Sequence, residues 1–270
     1  MKFYLACAAC ALMSSAPALA QEEPSGPVTV TGSVGLVSDY RFRGVSQSDE
    51  EMAIQGGATI THESGLYVGT WASNLSGWGT FGGANMELDI YGGYSFPVGS
   101  GTLDVGVTWY MYPGGFSNTD FAEPYVKLSG TAGPVKLLAG VAYAPKQEAL
   151  GNWSNTPQSR AGDKEDNLYL WGDVSSGIPN TPLTLKGHIG YSDGNPGLGP
   201  NGTSIAPTGK YWDWMLGADL AVGPATLGVA YVDTDISKSQ SAYLLPNFSS
   251  TKDGSSIASG KILFSASIAF

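Results

Sequence analysis

Cysteine is almost missing from this chain: Cys7 and Cys10 are the only two, and both lie in the first ten residues. The remainder cannot be stapled by disulfides and has no thiolates for a structural zinc. Long apolar runs are missing too. Beyond the N-terminus nothing approaches the roughly 20 consecutive apolar residues of a membrane helix. That excludes spanning by helices. It does not exclude a barrel of alternating strands, whose hydropathy averages near zero, and the mean hydropathy here is −0.03. Charge is sparse at 13% of residues, and bases are the scarcer sign, giving a net charge of −10. Such a chain lacks the basic footprint of a nucleic-acid binder. Histidine is limited to His62 and His188. No Walker, Rossmann, zinc or nucleophile-elbow pattern is present, so no cofactor, metal or catalytic residue is assigned.

What the chain does have begins with an export signal. Lys2 is followed by an apolar stretch over 3–13, an Ala18-Leu19-Ala20 cleavage site and the polar Gln21-Glu22-Glu23. The expected organisation is a signal peptide over 1–20, a periplasmic linker over 21–27 and one domain over 28–270. Both cysteines leave with the signal.

The dominant period in that domain is two. Twelve segments read as strands, near 28–43, 51–62, 65–73, 85–94, 102–111, 121–129, 135–144, 166–175, 183–192, 211–221, 226–233 and 257–270. In the fifth, Leu103, Val105, Val107, Trp109 and Met111 oppose Asp104, Gly106, Thr108 and Tyr110. A half-buried soluble sheet alternates in the same way. The connections separate the two cases, because they alternate between brief and long. Short turns near 63–65, 97–101, 130–134, 176–182 and 222–224 interleave with longer segments near 44–50, 74–84, 112–120, 145–165, 193–210 and 234–256. Sorted loops of this kind belong to an outer-membrane barrel with its short turns in the periplasm. The expected fold is therefore all-β: a closed antiparallel transmembrane β-barrel of about twelve strands. Its last strand alternates through Ile262, Phe264, Ala266 and Ile268 to a terminal Phe270. That ending resembles the signal read by the barrel-assembly machinery, an expected partner alongside outer-membrane lipid.

Rings near strand ends suit the water–lipid boundary. Tyr40, Phe42, Trp109, Tyr143, Tyr191, Trp212, Trp214 and Tyr231 are expected at the long-loop rim, and Tyr94 and Phe270 at the short-turn rim. Charges facing lipid would cost roughly 2–4 kcal/mol for each Arg or Lys at midplane. The charge ladder is thereby assigned to the lumen: Asp39, Arg41, Arg43, Glu87, Asp89, Asp104, Glu123, Lys127, Lys136, Asp173, Lys186, Asp213, Asp219 and Lys261. Of these, eight are acids and six are bases, which predicts weak cation preference.

The segment Gly35-Leu36-Val37-Ser38-Asp39-Tyr40-Arg41-Phe42-Arg43-Gly44-Val45-Ser46-Gln47-Ser48 is distinctive. With it go Gln55-Gly56-Gly57, Ser64-Gly65-Leu66-Tyr67-Val68-Gly69-Thr70-Trp71-Ala72-Ser73-Asn74, Glu87-Leu88-Asp89-Ile90-Tyr91-Gly92-Gly93-Tyr94 and Tyr110-Met111-Tyr112-Pro113-Gly114. Together they resemble the TorF-type family of proteobacterial porins, described also by the Gcw_chp domain of unknown function. The resemblance covers about the first third of the exported chain. It implies an outer-membrane barrel and a porin, and it supplies no solute and no catalytic residue. Within the motif, alternation sends Asp39, Arg41 and Arg43 to the lumen and Tyr40 and Phe42 to lipid. Glu87, Asp89 and Asp104 are candidate partners for the two arginines. Such pairs either brace the interior or form a charged constriction that selects solutes.

The leading expectation is a narrow channel for passive diffusion of small polar solutes. A non-conducting adhesive barrel with binding loops is the alternative, and a lipid hydrolase a weaker one. For hydrolysis His188 would need a hydroxyl and a carboxylate that spacing does not reveal. Acidic loop residues Asp163, Glu165 and Asp166 lack the spacing of a calcium loop.

Overall fold

The computed structural model describes residues 26–116, 118–151, 162–196 and 204–270. The export signal and most of the linker lie outside the described residues, as do parts of three of the longer loops. In chain order the strands are β1 (Val28–Val37), β2 (Arg41–Phe42), β3 (Val45–Ser46), β4 (Ala53–His62), β5 (Leu66–Asn74), β6 (Met86–Val98) and β7 (Gly101–Met111). They continue as β8 (Phe121–Ala132), β9 (Val135–Gln147), β10 (Glu165–Gly177), β11 (Leu183–Gly194), β12 (Lys210–Val222), β13 (Ala225–Thr234) and β14 (Lys261–Ala269). All except β2 and β3 join one closed barrel. Each wall strand pairs antiparallel with the next one in sequence, and β14 returns to β1. The wall therefore has the expected twelve strands, and closure leaves no unpaired edge, as lipid demands.

The solvent of each face follows from burial. Along β12, Trp212 and Leu216 are exposed, while Asp213, Met215 and Asp219 are buried. The same inversion runs round the wall. Leu128, Ile189, Leu216 and Phe264 are 51%, 52%, 68% and 62% exposed, while Glu87, Asp89, Glu123 and Asp213 are at most 3% exposed. An apolar belt of this extent far exceeds the few-hundred-Å² patches of soluble monomers. It fits a hydrocarbon surround, with charge kept inside.

The first expected strand, 28–43, is corrected by the structure. β1 ends at Val37, and the chain then leaves the wall and turns inward as the β2–β3 hairpin. The cause is local. Arg43 and Gly44 form a two-residue turn with both φ positive, 48° and 80°, the geometry whose twist suits a tight hairpin. A Cβ on Gly44 would also lie 2.4 Å from Thr234 Cγ2 and 3.0 Å from Asp213 Cβ. Only glycine lets the tip pass that close to the wall.

Above the hairpin, the long-loop side is roofed by apolar side chains. Val45, Trp78, Tyr211, Leu244, Phe248 and Ile257 form one buried cluster. Trp78 meets Phe248 edge-on at 4.8 Å, and Phe81 stacks on Tyr112 at 4.4 Å. A bridge between Ser48 and Ser76 and a bond from the Thr251 amide to Asp49 tie the hairpin to this roof.

Candidate functional site: a hairpin across the lumen

The hairpin is organised around Asp39, which has no exposed surface. One carboxylate oxygen receives Arg41 Nε at 2.8 Å, and the other receives Ser46 Oγ at 2.5 Å and Ser48 Oγ at 3.2 Å. Arg41 also donates to the carbonyls of Gly44 and Ser259 and to Glu50, which in turn pairs with Lys261 on β14. Buried charges tolerate such a place only when paired and hydrogen-bonded. Arg41 thus braces the hairpin from within.

Arg43 does something else. From the tip, its Nη2 reaches Glu123 on β8, 2.7 Å from Oε1 and 2.6 Å from Oε2. Its guanidinium carbon sits 4.1 Å from the centre of the Tyr169 ring on β10 and 4.7 Å from that of Phe42. β8 is fifth from β1 in one direction round the barrel, and β10 is fifth in the other. The tip therefore touches the far wall. Tyr40 meanwhile donates to Glu87 on β6 at 2.9 Å and packs edge-on against Trp71 on β5. Phe42 contacts Tyr110 on β7. Burial lowers the basicity of Arg43, but Glu123 beside it more than compensates, and the group ends above its ordinary value. Burial likewise raises the phenol of Tyr112 well above its ordinary range, with Glu87 and Asp89 adding to the effect.

Two sequence expectations fail here. Tyr40 and Phe42 do not face lipid: Tyr40 is 2% exposed and Phe42 packs inside. Their alternation is real, but it belongs to a hairpin inside the barrel, not to the wall. The partners of the arginines also differ. Glu87, Asp89 and Asp104 were the candidates; Arg43 takes Glu123, and Arg41 takes Asp39 and Glu50. Asp89 is fully buried, and neither of its carboxylate oxygens has a hydrogen-bond partner. It lies within electrostatic reach of Glu87 and Glu123.

Other ladder residues pair with one another inside the barrel. Asp104 and Lys127 face each other in register and pair at 2.8 Å, and Tyr67 donates to Asp104 at 2.5 Å. Lys186 pairs with Asp219 at 2.8 Å. His188 places Nδ1 2.6 Å from Asp173 and Nε2 3.2 Å from Asp213, with the Tyr169 hydroxyl 2.9 Å from Nε2. The sequence showed no carboxylate beside His188; the structure supplies two. No serine hydroxyl bonds to it among the described residues. Tyr169 lies so close to β11 that a Cβ on Gly190 would meet its hydroxyl at 2.1 Å.

Of the expected girdle, Tyr94, Trp109, Tyr143, Trp212, Tyr231 and Phe270 are exposed on the outer face. Tyr191 and Trp214 are partly covered, and Tyr191 packs on its register partner Trp212 at 4.9 Å. The residues missed were Tyr110, Tyr169, Ser46 and Ser48. The signal for the serines was available in Gly44, flanked on both sides by alternating residues.

No curated protein matches the sequence. Among solved structures, the KdgM porin superimposes with a TM-score of 0.52 at 6% identity, over 90% of this chain and 99% of that one. The opdK outer-membrane protein of Pseudomonas aeruginosa gives 0.41 at 12% identity, over 93% and 68%. The outer-membrane channel DcaP of Acinetobacter baumannii gives 0.40 at 12%, over 90% and 97%. Porin-like barrels share the architecture of the wall. Residues 21–265 match the family model described as bacterial protein of unknown function, Gcw_chp, and the chain belongs to that family.

Proposed function

We propose that the protein is an outer-membrane channel for passive diffusion of small polar solutes, narrow and weakly cation-preferring, with the β2–β3 hairpin as its constriction. One observation carries this reading: the lumen is crossed by a tethered hairpin bonded to the far wall, not filled by wall side chains alone. A segment of that kind sets the width of a pore while the wall supplies the polar lining. The fold shared with a porin supports the channel class, and the motif around Arg43 supports the TorF-type porin reading. Cation preference follows from the excess of lumenal acids over bases along the ladder. The reading assigns no catalysis: His188 sits among two carboxylates and a phenol, with no serine hydroxyl bonded to it among the described residues. It places Phe270 at the disposal of the assembly machinery and expects cleavage after Ala20.

Planar-bilayer reconstitution tests it. Wild type should show small openings with a reversal potential displaced toward potassium in a KCl gradient, and Arg43→Ala should show larger ones. Silence from both proteins, or a clear chloride preference, would overturn the reading. The apolar roof around Trp78 and Phe248 favours a second reading, a non-conducting barrel whose outer loops bind a partner. Shortening loop 235–260 separates the two. Larger conductance supports the channel, and continued silence with lost adhesion supports the binder.

A further inference from the structure

The cradle around Arg43 is built from two independent parts. Glu123, Tyr110 and Tyr169 belong to β8, β7 and β10, strands whose pairing to their neighbours does not involve the hairpin. The guanidinium is brought to them on a segment that leaves the wall after Val37 and rejoins it at Ala53. We infer that this cradle is a binding site for guanidinium-bearing organic cations, and that Arg43 occupies it as a tethered surrogate for such a solute. The inference rests on the channel reading for its physiological sense, and on geometry alone for the site.

Three features support it. The chemistry matches the ion. Glu123 supplies the counter-charge through one nitrogen, and the Tyr169 ring face 4.1 Å from the guanidinium carbon is the contact that suits a planar cation. The occupancy is incomplete, because Arg43 Nη1 is buried without a hydrogen-bond partner. The wall also carries further acceptors there: Glu87 and Asp89 stand near Glu123, and neither carboxyl oxygen of Asp89 has a hydrogen-bond partner. Arg43 itself holds a left-handed φ of 48°, a conformation that is strained for a residue with a side chain. A free ligand would not carry that strain. An inorganic ion is disfavoured as the occupant, since no acid or histidine cluster among the described residues has metal-binding geometry.

The test uses ethylguanidinium chloride, a truncated arginine side chain, with neutral ethylurea as control. The full-length exported protein is refolded in detergent for thermal unfolding, and into bilayers for conductance. In Arg43→Ala, ethylguanidinium should raise the unfolding temperature and block current at concentrations at least about tenfold below those of ethylurea. Wild type, its site filled, should show no shift. Arg43→Ala combined with Glu123→Gln should lose both effects. Current in Arg43→Ala that ignores ethylguanidinium overturns the site and leaves the channel reading intact. Thermal rescue in a barrel that stays silent upholds the site and removes the channel. Neither rescue nor current overturns both. Should Arg43→Ala not fold, the shorter, neutral Arg43→Gln carries the same comparisons.

Discussion

Arg43 and Glu123, eighty positions apart in sequence, are joined inside the barrel with both carboxylate oxygens within 2.7 Å of Nη2. Neither residue is exposed, and the bond ties a loop near the start of the domain to the opposite wall. A buried ion pair of this kind adds little net stability relative to apolar packing, but breaking one side of it is costly. Arg43→Ala and Glu123→Gln should each lower the unfolding free energy in detergent by about 3 kcal/mol. The double variant should lose much less than the sum, because each single change leaves its partner buried alone. Denaturant titrations of the four proteins measure the coupling, and strict additivity would show that the two groups do not hold each other.

Gly44 is required twice over, by its φ of 80° and by its approach to Thr234 and Asp213. Gly44→Ala should therefore push the tip off the far wall. The expected result is a lower unfolding temperature and a larger single-channel conductance than wild type. Gly177→Ala is the control, since a Cβ there meets nothing within 4 Å. If both substitutions left conductance unchanged, the hairpin would not be the constriction.

Asp89 bears on stability, and Glu123 on selectivity. A fully buried carboxylate without partners is unfavourable when ionised, and an amide of the same shape removes the charge. Asp89→Asn should keep or raise stability, by about 1 kcal/mol. In the Arg43→Ala background Glu123 loses its cationic partner, and Glu123→Gln should move the KCl-gradient reversal potential toward zero. A reversal potential that stays where it was would remove this carboxylate from the permeation path.

The wall was legible because its rules are periodic. Lipid outside and water inside impose a two-residue alternation on every strand, as in Leu103 to Met111, and the sorted loop lengths fix which rim is which. The hairpin was not legible by the same rule. Tyr40 and Phe42 alternate with Asp39, Arg41 and Arg43 whether the strand runs on in the wall or folds back inside, so periodicity cannot tell the two apart. Only Gly44 marks the reversal, and a glycine within a strand also fits a bulge. The pairing of Arg43 with Glu123 and of His188 with Asp173 and Asp213 depends on register and on side-chain reach across the lumen. Neither is encoded locally. Charged residues could be assigned to the inside on energetic grounds, but not to one another.

The membrane reading itself makes a graded prediction along one strand. Leu216 lies midway along β12 and Val222 at its short-turn end, both outward, at 68% and 48% exposure. If that face meets hydrocarbon, an arginine should be penalised by depth. Leu216→Arg should cost about 2–4 kcal/mol and Val222→Arg about 0–1 kcal/mol for folding into lipid vesicles. If the face met water instead, both would behave as ordinary exposed substitutions, within about 0.5 kcal/mol of wild type. Urea titration of vesicle-embedded protein separates these outcomes. A flat profile between the two positions would count against the lipid-facing belt, and with it against every assignment of charge to the lumen.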